Sequence, residues 1–271
     1  MKLAICNELF QNWPINDVFR RVAEIGYAGV ELAPFTFAES VNDISPARRT
    51  AIRRQAEANG LEITGLHWLL VSPKGLYLNH PDEAIRSRTQ QYLCDLIRFC
   101  CDVGGRVMVV GSPKQRNVQS GHTDEETWEV TKSVFEACLS VAAECGVTIC
   151  IEPLDRQQTN FINTPAEAAR MVRELNHPNF RMILDVRSTL CQGEDIVKAI
   201  HDVKAEMAYF HLNDASGHGP GFGHVDFGPI LRALRDVGYT GYASIEVFDF
   251  SHGPEEIARR SFEYLRDTLA R

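Results

Sequence analysis

The chain has 271 residues, 44% of them hydrophobic and 24% charged, with a formal net charge of −8. That composition describes a globular protein with ample core, and its acidity argues against a nucleic-acid partner, whose phosphates are gripped by clustered Lys and Arg. No apolar run reaches the roughly 18 residues a membrane span needs. Leu3–Cys6 is too short for a secretory signal before Asn7 and Glu8 interrupt it. The eight cysteines show no C-x-x-C spacing and sit mostly in apolar surroundings, which predicts free thiols in a reducing, cytoplasmic setting.

In chain order, apolar strand segments fall at 2–6 (KLAIC), 29–33 (GVELA), 62–68 (EITGLHW), 106–111 (RVMVVG), 147–152 (VTICIE), 181–185 (RMILD), 207–212 (MAYFHL) and 242–247 (YASIEV). Helical periodicity falls at 15–25, 46–59, 82–103, 124–145, 165–175, 196–202, 227–237 and 254–270. Asn59-Gly60, Cys145-Gly146 and Val237-Gly238 place glycine where a helix turns out, and Thr164-Pro165 opens another. Continuous rather than alternating strand apolarity, with one helix per crossover, predicts a parallel sheet covered by helices. Eight such units without a linker predict a single α/β domain over residues 1–271, a (β/α)8 TIM barrel. A doubly wound open sheet would want a Gly-rich loop after the first strand, and CNELFQNW at 6–13 is not one.

Four of the last four strands end alike, in a residue able to hold a metal: Glu152, Asp185, His211 and Glu246. Active sites of such barrels lie at the C-terminal strand ends, so the four share one arc of the mouth. Three carboxylates converging there would repel one another unless a cation sits between them. One nitrogen with several oxygens and no thiolate favours Mn²⁺, with Mg²⁺, Co²⁺ and Zn²⁺ as alternatives.

IEPLDR at 151–156, LDV at 184–186, HLND at 211–214, GFGHVDF at 221–227 and GYTGYASIEVF at 238–248 resemble the xylose-isomerase-like barrels, sugar isomerases and epimerases close to the ketose 3-epimerases. The resemblance implies one Mn²⁺-like ion on Glu152, Asp185, His211 and Glu246. It also implies that Glu152 and Glu246 move a proton on and off a keto-sugar through an enediolate. The sequence departs from the epimerases in the sugar grip: Ser188 stands for their His, Gln158 for a Glu, and Ser216-Gly217-His218 for a loop with Arg. His67, Trp68, Gln158, Ser188 and His218 are accordingly the expected substrate contacts.

Several other residues are open to two readings. Trp13 could stack on sugar or simply pack, and Asn7 and Glu8 could line the pocket floor. Lys114, Gln115 and Arg116 could form a loop that closes over substrate or a solvated charged loop, and Asp155 with Arg156 an ion pair or substrate contacts. No Lys or Arg occurs from Ala205 to Leu231, which points to a non-phosphorylated substrate and gives Asp226 a supporting or capping role. The rival functions are a metal-dependent lyase or dehydratase, an endonuclease with several zinc ions, and a non-enzymatic binding protein. A small sugar is the expected partner, and the resemblance favours a homo-oligomer, dimer or tetramer.

Overall fold

Strand order in space is the strand order of the chain. In the computed structural model, which describes residues 1–271, β1 (Lys2–Cys6), β2 (Gly29–Leu32), β3 (Glu62–Leu66), β4 (Val107–Val110), β5 (Thr148–Ile151), β6 (Phe180–Asp185), β7 (Met207–Leu212) and β8 (Tyr242–Ile245) pair in sequence, and β8 closes on β1. Every pairing is parallel, as in β1 with β8 and β4 with β5. The protein is therefore a TIM barrel, as the repeated strand–helix pattern predicts.

Around it run α1 (Ile15–Ile25), α2 (Pro46–Ala58), α3 (Glu83–Val103), α4 (Asp124–Glu136), α5 (Leu139–Cys145), α6 (Pro165–Leu175), α7 (Val186–Cys191), α8 (Ile196–Asp202), α9 (Phe227–Asp236) and α10 (Pro254–Leu269). Their starts follow local chemistry. Thr164 accepts from the Glu167 amide while the Glu167 side chain reaches back to the Thr164 amide, and Pro165 takes the first helical position. Two expectations change. The helix expected over 124–145 is broken at Ala137–Cys138, where the Cys138 amide reaches only three residues back, to Phe135. The Cys138 thiol there turns to the Val134 carbonyl and meets Cys94 of α3 at 3.8 Å. The short α7 was not expected at all. All eight cysteines are free.

The two-residue period of a strand explains how the barrel delivers polar side chains to one end. Val109, Cys150, Ile183 and Tyr209 form a small apolar layer of their own inside the barrel. Two residues further along the same strands come Gly111, Glu152, Asp185 and His211, so the next layer up is polar. Register agrees, with Asp185 opposite His211 and His211 opposite Ser244. No helix of the chain is long and apolar enough to cross a membrane.

One packing constraint makes a direct test. A Cβ at Gly65 in β3 would collide with the Val107 carbonyl of β4. Backbone cannot yield as a side chain tip does, so Gly65→Ala should cost about 3 kcal/mol or more in urea unfolding. A loss well below about 1 kcal/mol would contradict this close strand approach.

Candidate active site

Glu152 and Glu246 sit one residue beyond β5 and β8, Asp185 is the last residue of β6, and His211 the fifth residue of β7. Their donor atoms all lie within 4.8 Å of one another. His211 Nδ1 is 3.2 Å from Glu246 Oε2, 3.7 Å from Glu152 Oε1 and 4.0 Å from Asp185 Oδ2. All four residues are buried, none exposing more than 6% of its surface.

Each of the four is fixed from behind. His211 Nε2 lies 3.0 Å from Glu31 Oε2, and Glu31 also accepts the Cys6 thiol at 3.2 Å. An ionised carboxylate only accepts, so Nε2 carries a hydrogen toward Glu31, while Nδ1 faces the other three carboxylates. Asp185 Oδ1 accepts the Ser188 amide at 2.6 Å, capping α7, and its Oδ2 accepts Asn213 Nδ2 at 2.6 Å. Asn213 Oδ1 in turn accepts the Arg187 amide. Glu246 Oε1 lies 3.2 Å from His67 Nδ1, and His67 Nε2 lies 2.8 Å from Glu8. Glu152 leans over Gly111, where a Cβ would meet its Oε2, and its backbone carbonyl accepts the buried Arg116 guanidinium at 2.6 Å.

The charges respond to this crowding. Burial pushes the Asp185 carboxyl up to about 7, reinforced by the Glu152 and Glu246 charges. Burial raises Glu152 as well, only partly offset by His211. Glu246 goes the other way: burial pushes it up, but His211 and His67 more than reverse that and hold it well below the ordinary carboxylate range. Burial would keep both imidazoles neutral, yet Glu31 and Glu246 raise His211 and Glu8 and Glu31 lift His67 to about 10. Anionic charge is therefore in excess, and His211 Nδ1 has no hydrogen-bond partner of its own. Three carboxylates and one imidazole nitrogen around a common point fit a single divalent ion of the oxygen-preferring kind.

A narrow cleft opens onto this group, lined by His67, Trp68, Glu152, Gln158, Ser188 and Glu246 among others. Gln158 and Ser188 touch each other there at 3.3 Å, and Gln158 also donates to Asp155. Trp68 stands edge-on to Phe248 at 6.5 Å. His67 reaches the cleft, but both its nitrogens face carboxylates, so its ring holds Glu246 rather than offering a free donor. His218 lies outside this lining, with Nε2 3.8 Å from Asp249 and its ring beside His252. Trp13 also lies outside the cleft, packed on Phe10.

Arg116 does not belong to a lid. It is fully buried and ties the loop after β4 to the Glu152 and Ile162 carbonyls. Asp155 pairs with Arg187 at 3.6 Å, not with Arg156. The Gly-rich stretch wraps around Asp214, which accepts the Ser216 and Val225 amides and leaves no room for a Cβ at Gly223. Asp226 caps α9. Sequence reading missed Glu31, Asn213 and Phe248. Of these, Glu31 carried a usable signal: a carboxylate inside the apolar segment GVELA, at a position facing the barrel interior.

A closed parallel barrel with acids and an imidazole on one arc of its mouth defines a class of metal-capable TIM-barrel proteins. The chain belongs to the xylose isomerase-like TIM barrel family, whose family model matches residues 19–268. It is 25% identical to a 3-dehydro-D-guloside 4-epimerase of Escherichia coli strain K12, covering 98% of this chain and 99% of that protein. It is also 25% identical to a D-psicose 3-epimerase of Ruminiclostridium cellulolyticum, over 84% of this chain and 76% of the relative. Its fold matches the crystal structure of a D-psicose 3-epimerase in the presence of D-fructose, with a TM-score of 0.87 at 21% identity over the whole of both chains.

The proton on Asp185 gives a testable consequence. Its folded-state value of about 7 lies above the ordinary 3.8, so between those limits the fold loses stability as pH rises. A cation replaces that proton, so adding Mn²⁺ to chelator-treated protein should raise Tm more at about pH 8 than at about pH 5.5. An equal rise at both would contradict this. Glu31→Gln should weaken Mn²⁺ binding by about tenfold or more, measured by calorimetry, because it loosens the grip on His211.

Proposed function

We propose that this protein is a divalent-metal-dependent epimerase of a non-phosphorylated keto-sugar, working by proton transfer between Glu152 and Glu246. Family membership and the named relatives make it an enzyme of the sugar isomerase and epimerase kind. The observation that carries the finer reading is that Glu152 and Glu246 line one cleft, with Asp185 and His211 between them along the barrel mouth. Proton removal and return need two carboxylates within reach of one carbon, each held so that it does not swing away.

Glu152, Asp185, His211 and Glu246 would hold the ion, with Mn²⁺ the first choice for this donor set. When bound, it would polarise the substrate carbonyl and stabilise the enediolate left by proton loss. The protein's own part is positional. His67, itself held by Glu8, fixes one oxygen of Glu246, and the Arg116 strut fixes the backbone that carries Glu152. One glutamate takes the proton from the carbon beside the carbonyl and the other returns it from the opposite face. Gln158 and Ser188 are the polar side chains placed to meet substrate hydroxyls, and Trp68 supplies a flat apolar wall.

The relatives act, by name, on D-psicose at carbon 3 and on a 3-dehydro-guloside at carbon 4, both free of phosphate. The same acid pair could expel a neighbouring substituent instead, and one experiment separates the outcomes. Metal-loaded protein in deuterated water, given ketoses and 3-keto-sugars and then stripped of metal for NMR, should place deuterium at one carbon and build up its epimer. Glu152→Gln and Glu246→Gln should each slow this by about a thousandfold, within the range of general acid–base catalysis. Exchange that survives either substitution, or an unsaturated product in place of the epimer, would overturn the epimerase reading.

A further inference from the structure

Beside the narrow metal-facing cleft lies a second and larger hollow, of about 730 Å³. The two adjoin, because Trp68 and Phe248 line both. Phe35, Val71, Val247 and Phe250 add further apolar wall, with Gln11 and Ser72 as its neutral polar groups. The charged lining groups are few. Glu8 has its carboxylate against His67, and Glu39 and Lys74 stand in solvent.

Two features mark this groove as more than a chance hollow. Only four large hydrophobic side chains in the chain are exposed, and two of them, Phe35 at 42% and Phe248 at 39%, line it. A third, Trp13, lines the adjoining hollow that shares Phe35 and Gln11. Exposed aromatics cost solubility and are normally scattered, so three along one side of a barrel mouth point to a ligand surface. The junction itself is strained. Trp68 has a φ of 53°, a left-handed conformation that a bulky residue rarely adopts, and it sets the indole edge-on to Phe248 where cleft and groove meet.

We infer that the substrate is a glycoside, not a free sugar: its keto-sugar ring sits in the cleft at Glu152 and Glu246, and its aglycone lies across Trp68, Phe248 and Phe35. This rests on the epimerase reading and names the substrate class of that site. A free hexose would leave the groove empty and its aromatic wall wet. A substituent with a flat apolar face, an aryl group or a second pyranose ring, would cover it, since both stack on aromatic side chains. The weak polar grip inside the cleft, where Gln158 and Ser188 bond to each other, fits a substrate that draws much of its affinity from outside the reacting ring.

The test compares methyl and phenyl 3-keto-glucosides, and a disaccharide bearing the same 3-keto ring, in the deuterium-exchange assay with metal-loaded protein. The phenyl glycoside, the disaccharide or both should exceed the methyl glycoside in kcat/KM by about tenfold or more, and the excess should shrink in Phe35→Ala. An aryl preference alone identifies an aromatic aglycone, and a preference for both identifies any flat ring. Equal kcat/KM for all three would overturn the inference and leave the epimerase reading standing. Calorimetry with the unreactive phenyl and methyl glucosides supplies a readout independent of turnover. Phenyl binding at least about tenfold tighter supports the groove as the aglycone site even if no sugar exchanges, a result that would instead sink the epimerase reading. Equal or absent binding of both would overturn the groove assignment.

Discussion

Five carboxylates, Glu8, Glu31, Glu152, Asp185 and Glu246, are buried at one end of the barrel with two imidazoles among them. Each unpaired carboxylate held away from water costs several kcal/mol, so this end of the molecule is unstable without compensation. His67 offsets Glu8 and Glu246, and His211 offsets Glu31 through its Nε2. Two imidazoles cannot balance five carboxylates, and Glu152, Asp185 and Glu246 converge on the single His211 nitrogen that faces them. Nothing among the side chains neutralises that excess, and a divalent cation would. The rest of the site can be read as scaffolding for this arrangement of charge.

The scaffolding comes from parts of the chain remote in sequence. Glu31 is brought beneath His211 by pairing of β2 with β1, where it stands opposite Cys6. Cys6 and Ser244 are small enough to leave room for it inside the barrel, and both are within bonding distance of one another. Asp185 serves at once as strand end, helix cap and member of the acid group, which is why a short helix follows it directly. Arg116 spends a buried charge on backbone carbonyls, and burial lowers its pKa to about 10. That charged strut holds the backbone at Glu152 in place.

Much of this was legible in the sequence. Eight apolar segments with intervening helical periodicity give the barrel, because parallel strands buried on both faces need no alternation. The acid group was legible because strand ends repeat: ICIE, ILD, YFH and ASIE each place a metal-capable residue at the same height. Partners that depend on lateral packing were not. Nothing local tells that Glu8 and Glu246 share His67, since the three come from β1, β8 and β3 ends that only the closed sheet unites. Arg116 reads as a loop cation in sequence, because burial of its side chain is decided by carbonyls of residues 36 and 46 positions away. Asn213 next to Asp214 offered two polar residues after one strand, and their division of labour, one bracing Asp185 and the other folding a loop, is purely spatial.

The claim on which the account turns is that the charge excess at the barrel mouth is a site for one divalent ion. Equilibrium dialysis of chelator-treated protein against Mn²⁺, with metal counted by mass spectrometry, tests it most directly. Close to one ion per chain should bind, and that binding should be lost when Asp185 and His211 are both replaced by Asn in protein that still folds. Substoichiometric binding by the unaltered chain, or undiminished binding by the double variant, would contradict it.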